Sequence, residues 1–203
     1  MRDNFVDPSR RRFVQLLLAA PLVVSGGMQP AQLIAAAAAK AAVTPECVDS
    51  DEPTPSETAG PFFKPSSPKR SSLLEPGIEG TQIVVSGRVF SRECRPLAGV
   101  LLDFWHAGND GEYDNDGFRL RGHQFTDQQG RYRLETVVAG LYPGRTRHYH
   151  VRVQAPRGKV LTTQLYFPGE ARNRRDFLFR PELLMAVKSG SGQGSFHFML
   201  DQV

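Results

Sequence analysis

Between residues 82 and 200 the chain repeats one pattern, a short run rich in β-branched and aromatic residues followed by a group of turn formers. The runs are Gln82–Phe90, Gly99–His106, Phe118–Thr126, Arg131–Val137, His148–Gln154, Thr162–Phe167 and Ser195–Leu200. Segments this short, closed by Gly, Pro, Asn and Asp, read as strands rather than helices. Nineteen Gly and fifteen Pro in 203 residues supply the chain reversals that many strands need. The pattern predicts an all-β fold, an antiparallel β-sandwich with long loops. Asp127-Gln128-Gln129-Gly130 reads as a hairpin connection, with Gly130 available for positive φ. Phe177–Lys188 is the one stretch expected to form a helix, and a short one. Residues 42–80, largely Pro, Ser, Glu and Gly, read as an extended N-terminal arm laid over the surface, and 81–203 as the sandwich itself.

Residues 1–41 read differently. Arg10-Arg11-Arg12-Phe13 precedes an apolar run from Val14 to Val24, and small residues follow, with an alanine-rich tract from Ala35 to Ala42. This is the layout of an export signal, with cleavage expected at an Ala-x-Ala step between Ala37 and Ala42. Ser9-Arg10-Arg11-Arg12-Phe13-Val14 resembles the bacterial twin-arginine motif, departing in Val14 and Gln15. The apolar run covers 11 residues, short of the roughly 20 that cross a bilayer as a helix, so no permanent membrane anchor is expected. The expected location is periplasmic or secreted.

Charge excludes one class of partner. The chain carries 25 basic and 21 acidic side chains. Setting aside the four Arg and two Asp of residues 1–39 leaves 21 and 19, a net +2. That is no electrostatic footprint for nucleic acid. The arginines at 172, 174, 175 and 180 read as a solvated loop. Two cysteines, Cys47 and Cys94, would meet an oxidising compartment after export, either as a bridge or as two unrelated thiols.

His148-Tyr149-His150-Val151-Arg152-Val153 carries the first chemistry. Alternate residues of a strand share a face, so Tyr149, Val151 and Val153 point to the core while His148 and His150 project together on the other side. Tyr142 lies six residues upstream in the turn Gly140-Leu141-Tyr142-Pro143-Gly144-Arg145, and Tyr113 ends the Gly-rich loop after Trp105. Two imidazoles and two phenols form a possible ligand set; the alternative is that the tyrosines only pack. Phenolate is a hard, anionic donor best matched to a high-valent ion such as Fe(III). Zinc sites draw on Cys, His and carboxylates, so the set argues against zinc.

These residues, with their neighbours, resemble the intradiol ring-cleavage dioxygenase family, over about Thr58 to Phe167. The likeness runs through Thr58-Ala59-Gly60-Pro61-Phe62-Phe63, Pro96-Leu97-Ala98-Gly99-Val100, Asp103-Phe104-Trp105-His106-Ala107 and Gly111-Glu112-Tyr113. It continues through Arg119 to Asp127, Gly130 to Thr136, Arg145-Thr146-Arg147-His148-Tyr149-His150 and Thr163-Gln164-Leu165-Tyr166-Phe167. The resemblance implies a β-sandwich holding non-haem Fe(III), which opens the ring of a catecholic small-molecule substrate with O2 to give a muconate-type diacid. It implies that Tyr113, Tyr142, His148 and His150 are the iron ligands, Tyr142 and His150 axial, Tyr113 and His148 equatorial. Tyr142 would also leave the metal and accept a substrate proton. Arg145 would stabilise charge on the ring oxygen, and Gln164 would line the same pocket.

Three features depart from the family. Tyr149 stands between the histidines where a branched aliphatic residue is common. Only five residues separate Tyr142 from His148, which opens one wall of the pocket. The long helical N-terminal region of the catechol enzymes is missing, so their dimerisation does not carry over and the oligomeric state stays open. His106 is expected to pack or hydrogen-bond near the pocket, and His123 and His197 to be structural. Two rivals remain. A radical-copper oxidase would need a Cys next to a ligand Tyr, and neither cysteine lies near the motifs. The other is an exported transthyretin-like binding module without ring-cleaving activity.

Overall fold

The computed structural model describes Cys47 and residues 52–201; the export signal expected over 1–41 lies outside them. The described residues form nine strands: β1 Gln82–Ser91, β2 Leu101–Trp105, β3 Arg121–Phe125, β4 Arg131–Val137, β5 His148–Gln154, β6 Val160–Tyr166, β7 Ala186–Lys188, β8 Gln193–Ser195 and β9 Phe198–Leu200. They make two sheets. One is ordered β3-β2-β5-β6; the other is β4-β1-β8-β7, with β9 also on β1. Among the described residues no helix is long and apolar enough to cross a membrane.

Period-two patterning builds the core between the sheets. Ile83 and Val85 of β1 and Tyr132 and Leu134 of β4 face Leu102 and Phe104 of β2 and Tyr149, Val151 and Val153 of β5, all nearly inaccessible to solvent. Their combined burial is the main apolar driving force of the fold. Tyr149 spans the sandwich, and its hydroxyl donates to the Val137 carbonyl of the other sheet (2.8 Å). The phenol, unusual at a core position between two histidines, is thus satisfied at its polar end.

Three expectations need correction. Residues 177–188 form no α-helix; Pro181–Leu183 is a single 3-10 turn and Ala186–Lys188 is strand β7. Met185 donates through its backbone to Tyr166 (2.9 Å), so the segment follows β6 instead of closing on itself. The Asp127–Gly130 turn does form, with Gly130 at φ +71° and the Asp127 side chain accepting from the backbone of Gln129 and Arg131. Yet β3 and β4 diverge from it into different sheets, so the turn is a corner and not a hairpin. The last run, 195–200, splits into β8 and β9, and both lie parallel to β1. The split occurs beside Gly87, where any Cβ would lie 1.7 Å from the Phe196 carbonyl oxygen.

Residues 52–80 carry no long strand, but they are tied down repeatedly. Glu57 donates its backbone N–H to Thr162 at the edge of β6 (2.8 Å). Lys69 bridges to His123 of β3 and Ser72 to Glu135 of β4, so the segment straps the corner where the sheets separate. Leu73 enters the main core and is fully buried. Cys47 and Cys94 are joined in a disulfide, packed against Phe90 and Met199.

The bridge spans 47 residues of sequence. Replacing both cysteines with Ser is expected to lower the unfolding free energy by about 4 kcal/mol. Urea denaturation measures this; an unchanged midpoint would show that the bridge does not constrain the chain.

Candidate metal centre

Strand β5 places His148 and His150 on the face away from the core, as its alternation demands. They are nonetheless buried, at 4% and 2% exposure, because the arm and two loops cover them. Their Nε2 atoms lie 3.1 Å apart, and the Tyr113 hydroxyl lies 3.3 Å from the His148 Nε2. His148 Nδ1 is 2.7 Å from the Thr146 carbonyl. A carbonyl only accepts, so Nδ1 carries the proton and Nε2 presents a lone pair to the cluster. The ring of Tyr142 stands edge-on to that of Tyr113, 5.8 Å between centroids.

Flanking groups hold this set still. Trp105, directly opposite His150 in the β2–β5 ladder, stacks on its ring at 5.0 Å with the planes 5° apart. Phe62 stacks on Tyr113 at 4.3 Å and meets Tyr142 edge-on. The buried Arg121 donates to the Phe62 carbonyl (2.5 Å) and to that of Asp114 (2.9 Å), so one guanidinium fixes the arm and the Tyr113 loop together. The Tyr113 and Tyr142 loops meet backbone to backbone. Gly140 donates to the Gly108 carbonyl (2.8 Å), and an added Cβ at Gly140 would lie 2.3–2.6 Å from atoms of Gly111, Gly108 and Asn109.

Arg145 lies beside the cluster. Its Nε donates to both Asp176 oxygens (2.9 and 3.1 Å) and its Nη2 to Gln164 Oε1 (2.7 Å). Gln164, opposite His150 in the β5–β6 ladder, donates in turn to the Thr58 carbonyl (3.0 Å). His106 is not part of the cluster: its ring nitrogens engage the Ala107 carbonyl and the Thr136 hydroxyl (2.6 Å) while the ring packs on Tyr149. His123 binds Ser67 through Nδ1. His197 accepts the backbone N–H of Arg88. Both line a cavity of about 910 Å³ at the β3–β4 corner, which contains neither tyrosine of the cluster.

The electrostatics suit a cation. Burial, with the nearby Arg145 charge, pushes His148 down to about 4, and burial first, then His148 and Arg145, holds His150 well below its ordinary value. Both imidazoles are therefore neutral donors at pH 7. Burial pushes the Tyr113 phenol above its ordinary value, so it ionises only if a strong local positive charge compensates. Donor atoms about 2.1 Å from one ion and at right angles to each other would lie about 3 Å apart, which the 3.1 and 3.3 Å separations match. No group of three or more His, Cys, Asp or Glu among the described residues could hold an ion. A centre here must therefore draw on phenols as well as imidazoles, and that combination fits Fe(III).

Residues 59–197 match the dioxygenase family model. The chain belongs to the intradiol dioxygenase family. It is 31% identical over 163 residues to catechol 1,2-dioxygenase 2 of Acinetobacter lwoffii, across 66% of this chain and 59% of that protein. It is 32% identical over 119 residues to the protocatechuate 3,4-dioxygenase beta chain of Burkholderia cepacia, across 50% and 51%. It thus spans about half the length of these curated relatives. Among solved structures, the dioxygenase domain of a dioxygenase carbohydrate-binding protein fusion from the cellulolytic bacterium Streptomyces sp. SirexAA-E is 56% identical. It superposes with a TM-score of 0.73 over 75% of this chain and all of that one. The 3-chlorocatechol 1,2-dioxygenase of Rhodococcus opacus 1CP is 29% identical, with a TM-score of 0.68 over 76% and 75%.

Around this cluster, sequence reasoning passed over Asp176, Arg121 and the Trp105–His150 stack. Asp176 lies 31 residues from Arg145, among arginines read as a solvated loop, and nothing local marks it. Gly140 and Gly111 did carry a signal, two Gly-rich loops each delivering a Tyr, but not that the loops touch.

Gly140→Ala is expected to push those loops apart and cost the protein most of the metal it retains on purification, with the fold intact by circular dichroism. Metal analysis checks this; full retention would show that the loop contact does not set the site.

Proposed function

We propose that this chain is a non-haem Fe(III)-dependent intradiol dioxygenase that opens the ring of a catechol-type diol with O2 to give a muconate-type diacid. The observation that carries the reading is the convergence of Tyr113, His148 and His150 at 3.1–3.3 Å, with Tyr142 edge-on beside them. Tyr113, Tyr142, His148 and His150 would hold the ion. Bound there, Fe(III) would act as a Lewis acid that draws electron density from a chelated catechol.

The chain's own residues do the rest. Two neutral imidazoles and two phenolates would leave one unit of charge on a trivalent ion held there, a charge suited to attract a dianionic catechol. Tyr142, which is half-buried and sits on a turn, is the group best placed to yield and to take a substrate proton. Tyr113 is clasped between Phe62 and the Arg121-anchored loop and stays in place. Arg145 directs a fixed positive charge toward the oxygen on which negative charge develops. Gln164 keeps that guanidinium beside the pocket and ties it to the arm at Thr58. The Trp105 ring and the arm exclude water from His150, and Phe62 does so for Tyr113. Gly144 has no neighbour within 4 Å of a Cβ position, which supports an open wall next to Tyr142 and room for substituents on the ring. The named relatives act on catechol, chlorocatechol and protocatechuate, and the shared diol is what this site would chelate.

Export by a twin-arginine-type route to the periplasm or beyond is part of the proposal. It is supported by the Ser9–Val14 motif and by the Cys47–Cys94 bridge, which belongs to an oxidising compartment. Replacing Arg10 and Arg11 with Lys is expected to retain the protein in the cytoplasmic fraction; unchanged export would remove the twin-arginine assignment.

The test of function is a visible spectrum of the purified protein with iron quantified, before and after anaerobic addition of catechol. Phenolate-to-Fe(III) charge transfer is expected to colour the protein, with about one iron per chain, and to shift to longer wavelength on catechol binding. Admitting O2 should then yield the ring-opened diacid. A protein that stays colourless after Fe(III) loading would overturn the reading in favour of a binding module.

A further inference from the structure

We propose that Asp176 is a positioning residue that fixes both the Arg145 guanidinium and the carbonyl that orients His148. This rests on the ring-cleavage reading above and extends the site to the segment after β6.

The geometry is that of one carboxylate serving two ends of the site. Asp176 accepts the Arg145 Nε through both oxygens. Its Oδ2 also accepts the backbone N–H of Thr146 (2.8 Å) and its Oδ1 that of Leu178 (3.0 Å). The peptide units on either side of Thr146 are thus both committed, since the Thr146 carbonyl accepts from His148 Nδ1 (2.7 Å). Arg145 Nη2 is taken by Gln164 and the Tyr166 hydroxyl. That leaves Nη1, which has no partner among the described residues, as the donor open to a substrate oxygen.

The carboxylate is itself rigid. Its side chain is 1% exposed, against 13% for Arg145. Burial alone would raise its pKa, but the Thr146 and Leu178 amides and Arg145 outweigh that and hold it below the usual carboxylate range, so it is charged at neutral pH. The segment around it is pinned on both sides. The Thr146 hydroxyl donates to Asn173 Oδ1 (2.6 Å), and Asn173 Nδ2 donates to the Phe167 carbonyl (2.9 Å). The Tyr166 hydroxyl donates to the Leu178 carbonyl (2.9 Å), and its ring meets Phe179 edge-on at 5.2 Å. A bifurcated Nε–H bond to a charged carboxylate with so many fixed points orients a guanidinium in a way that a single bond to Gln164 does not.

The test uses Asp176→Asn, which keeps the shape but loses the charge and one of the two acceptor oxygens, with Asp176→Glu as the conservative partner. In the iron-loaded protein kcat for catechol is expected to fall about 10- to 100-fold in Asp176→Asn. The KM is expected to stay near wild type, the charge-transfer band to shift as His148 loses its fixed carbonyl partner, and Asp176→Glu to recover part of kcat. A second readout needs no activity: in iron-free protein the Arg145 Nε–H proton, followed by 15N NMR, is expected to exchange slowly in wild type and fast in Asp176→Asn. Wild-type kcat in Asp176→Asn, or unchanged exchange, overturns the proposal. If the wild type shows no ring cleavage but the exchange difference holds, the clamp stands and the ring-cleavage reading falls.

Discussion

Strand β5 has to satisfy two opposite environments within seven residues, and the rest of the molecule is arranged around that demand. Tyr149, Val151 and Val153 need an apolar interior, which the facing sheet supplies, down to a carbonyl for the one hydroxyl. His148 and His150 need a dry but polar compartment, which no sheet supplies. A strand buried on only one face would leave both imidazoles in water, where they would protonate near neutral pH and bind an ion poorly. The chain covers them from outside with pieces that are not sheet at all, namely the arm at 58–63, the two tyrosine loops and the segment after β6. Central placement between β2 and β6 matters as well, because it brings Trp105 and Gln164 directly opposite His150.

The covering pieces have little regular hydrogen bonding of their own, so they are held by specific contacts. Arg121 is the clearest case. A buried guanidinium is costly unless its donors are used, and here they go to the carbonyls of Phe62 and Asp114, on either side of the stacked Phe62–Tyr113 pair. At the Gly108–Gly140 contact the absence of side chains is itself the structural element, since only bare backbone lets the two loops approach closely enough to bring the phenol rings together. The Asp176 carboxylate does the same work for the third piece.

Much of this was legible in the sequence because it depends on local periodicity or on short motifs. Alternation alone assigned the two faces of β5, and the donor types alone pointed to a hard, high-valent ion. The sandwich followed from seven short β-rich runs. What was not legible depends on which segments meet. The Asp127–Gly130 turn has hairpin chemistry, but whether its strands stay in one sheet is decided by the strap at 69–72 and by Leu73 entering the core. Phe177–Lys188 has residues a helix would accept, yet the β6 edge and Tyr166 offer its backbone partners that a helix would have to give up. Asp176, just before that stretch and among arginines read as a solvated loop, was invisible as a site residue because nothing local sets it apart. Its meaning comes from a partner 31 residues away.

The pairing of Arg145 with a buried carboxylate bears on how the site handles charge. A lone buried guanidinium would stabilise any anion nearby, a water-derived hydroxide as readily as a catecholate. Backed by Asp176 on the Nε side, Arg145 becomes one end of a fixed dipole, whose field falls off faster with distance than that of a bare charge. It is therefore felt mainly by atoms in contact with the outward end. The neutral imidazoles and the phenols add no competing charge until a cation arrives. An enzyme that must separate charge within one ring, on one side only, gains more from such a short-range, oriented field than from a stronger diffuse one.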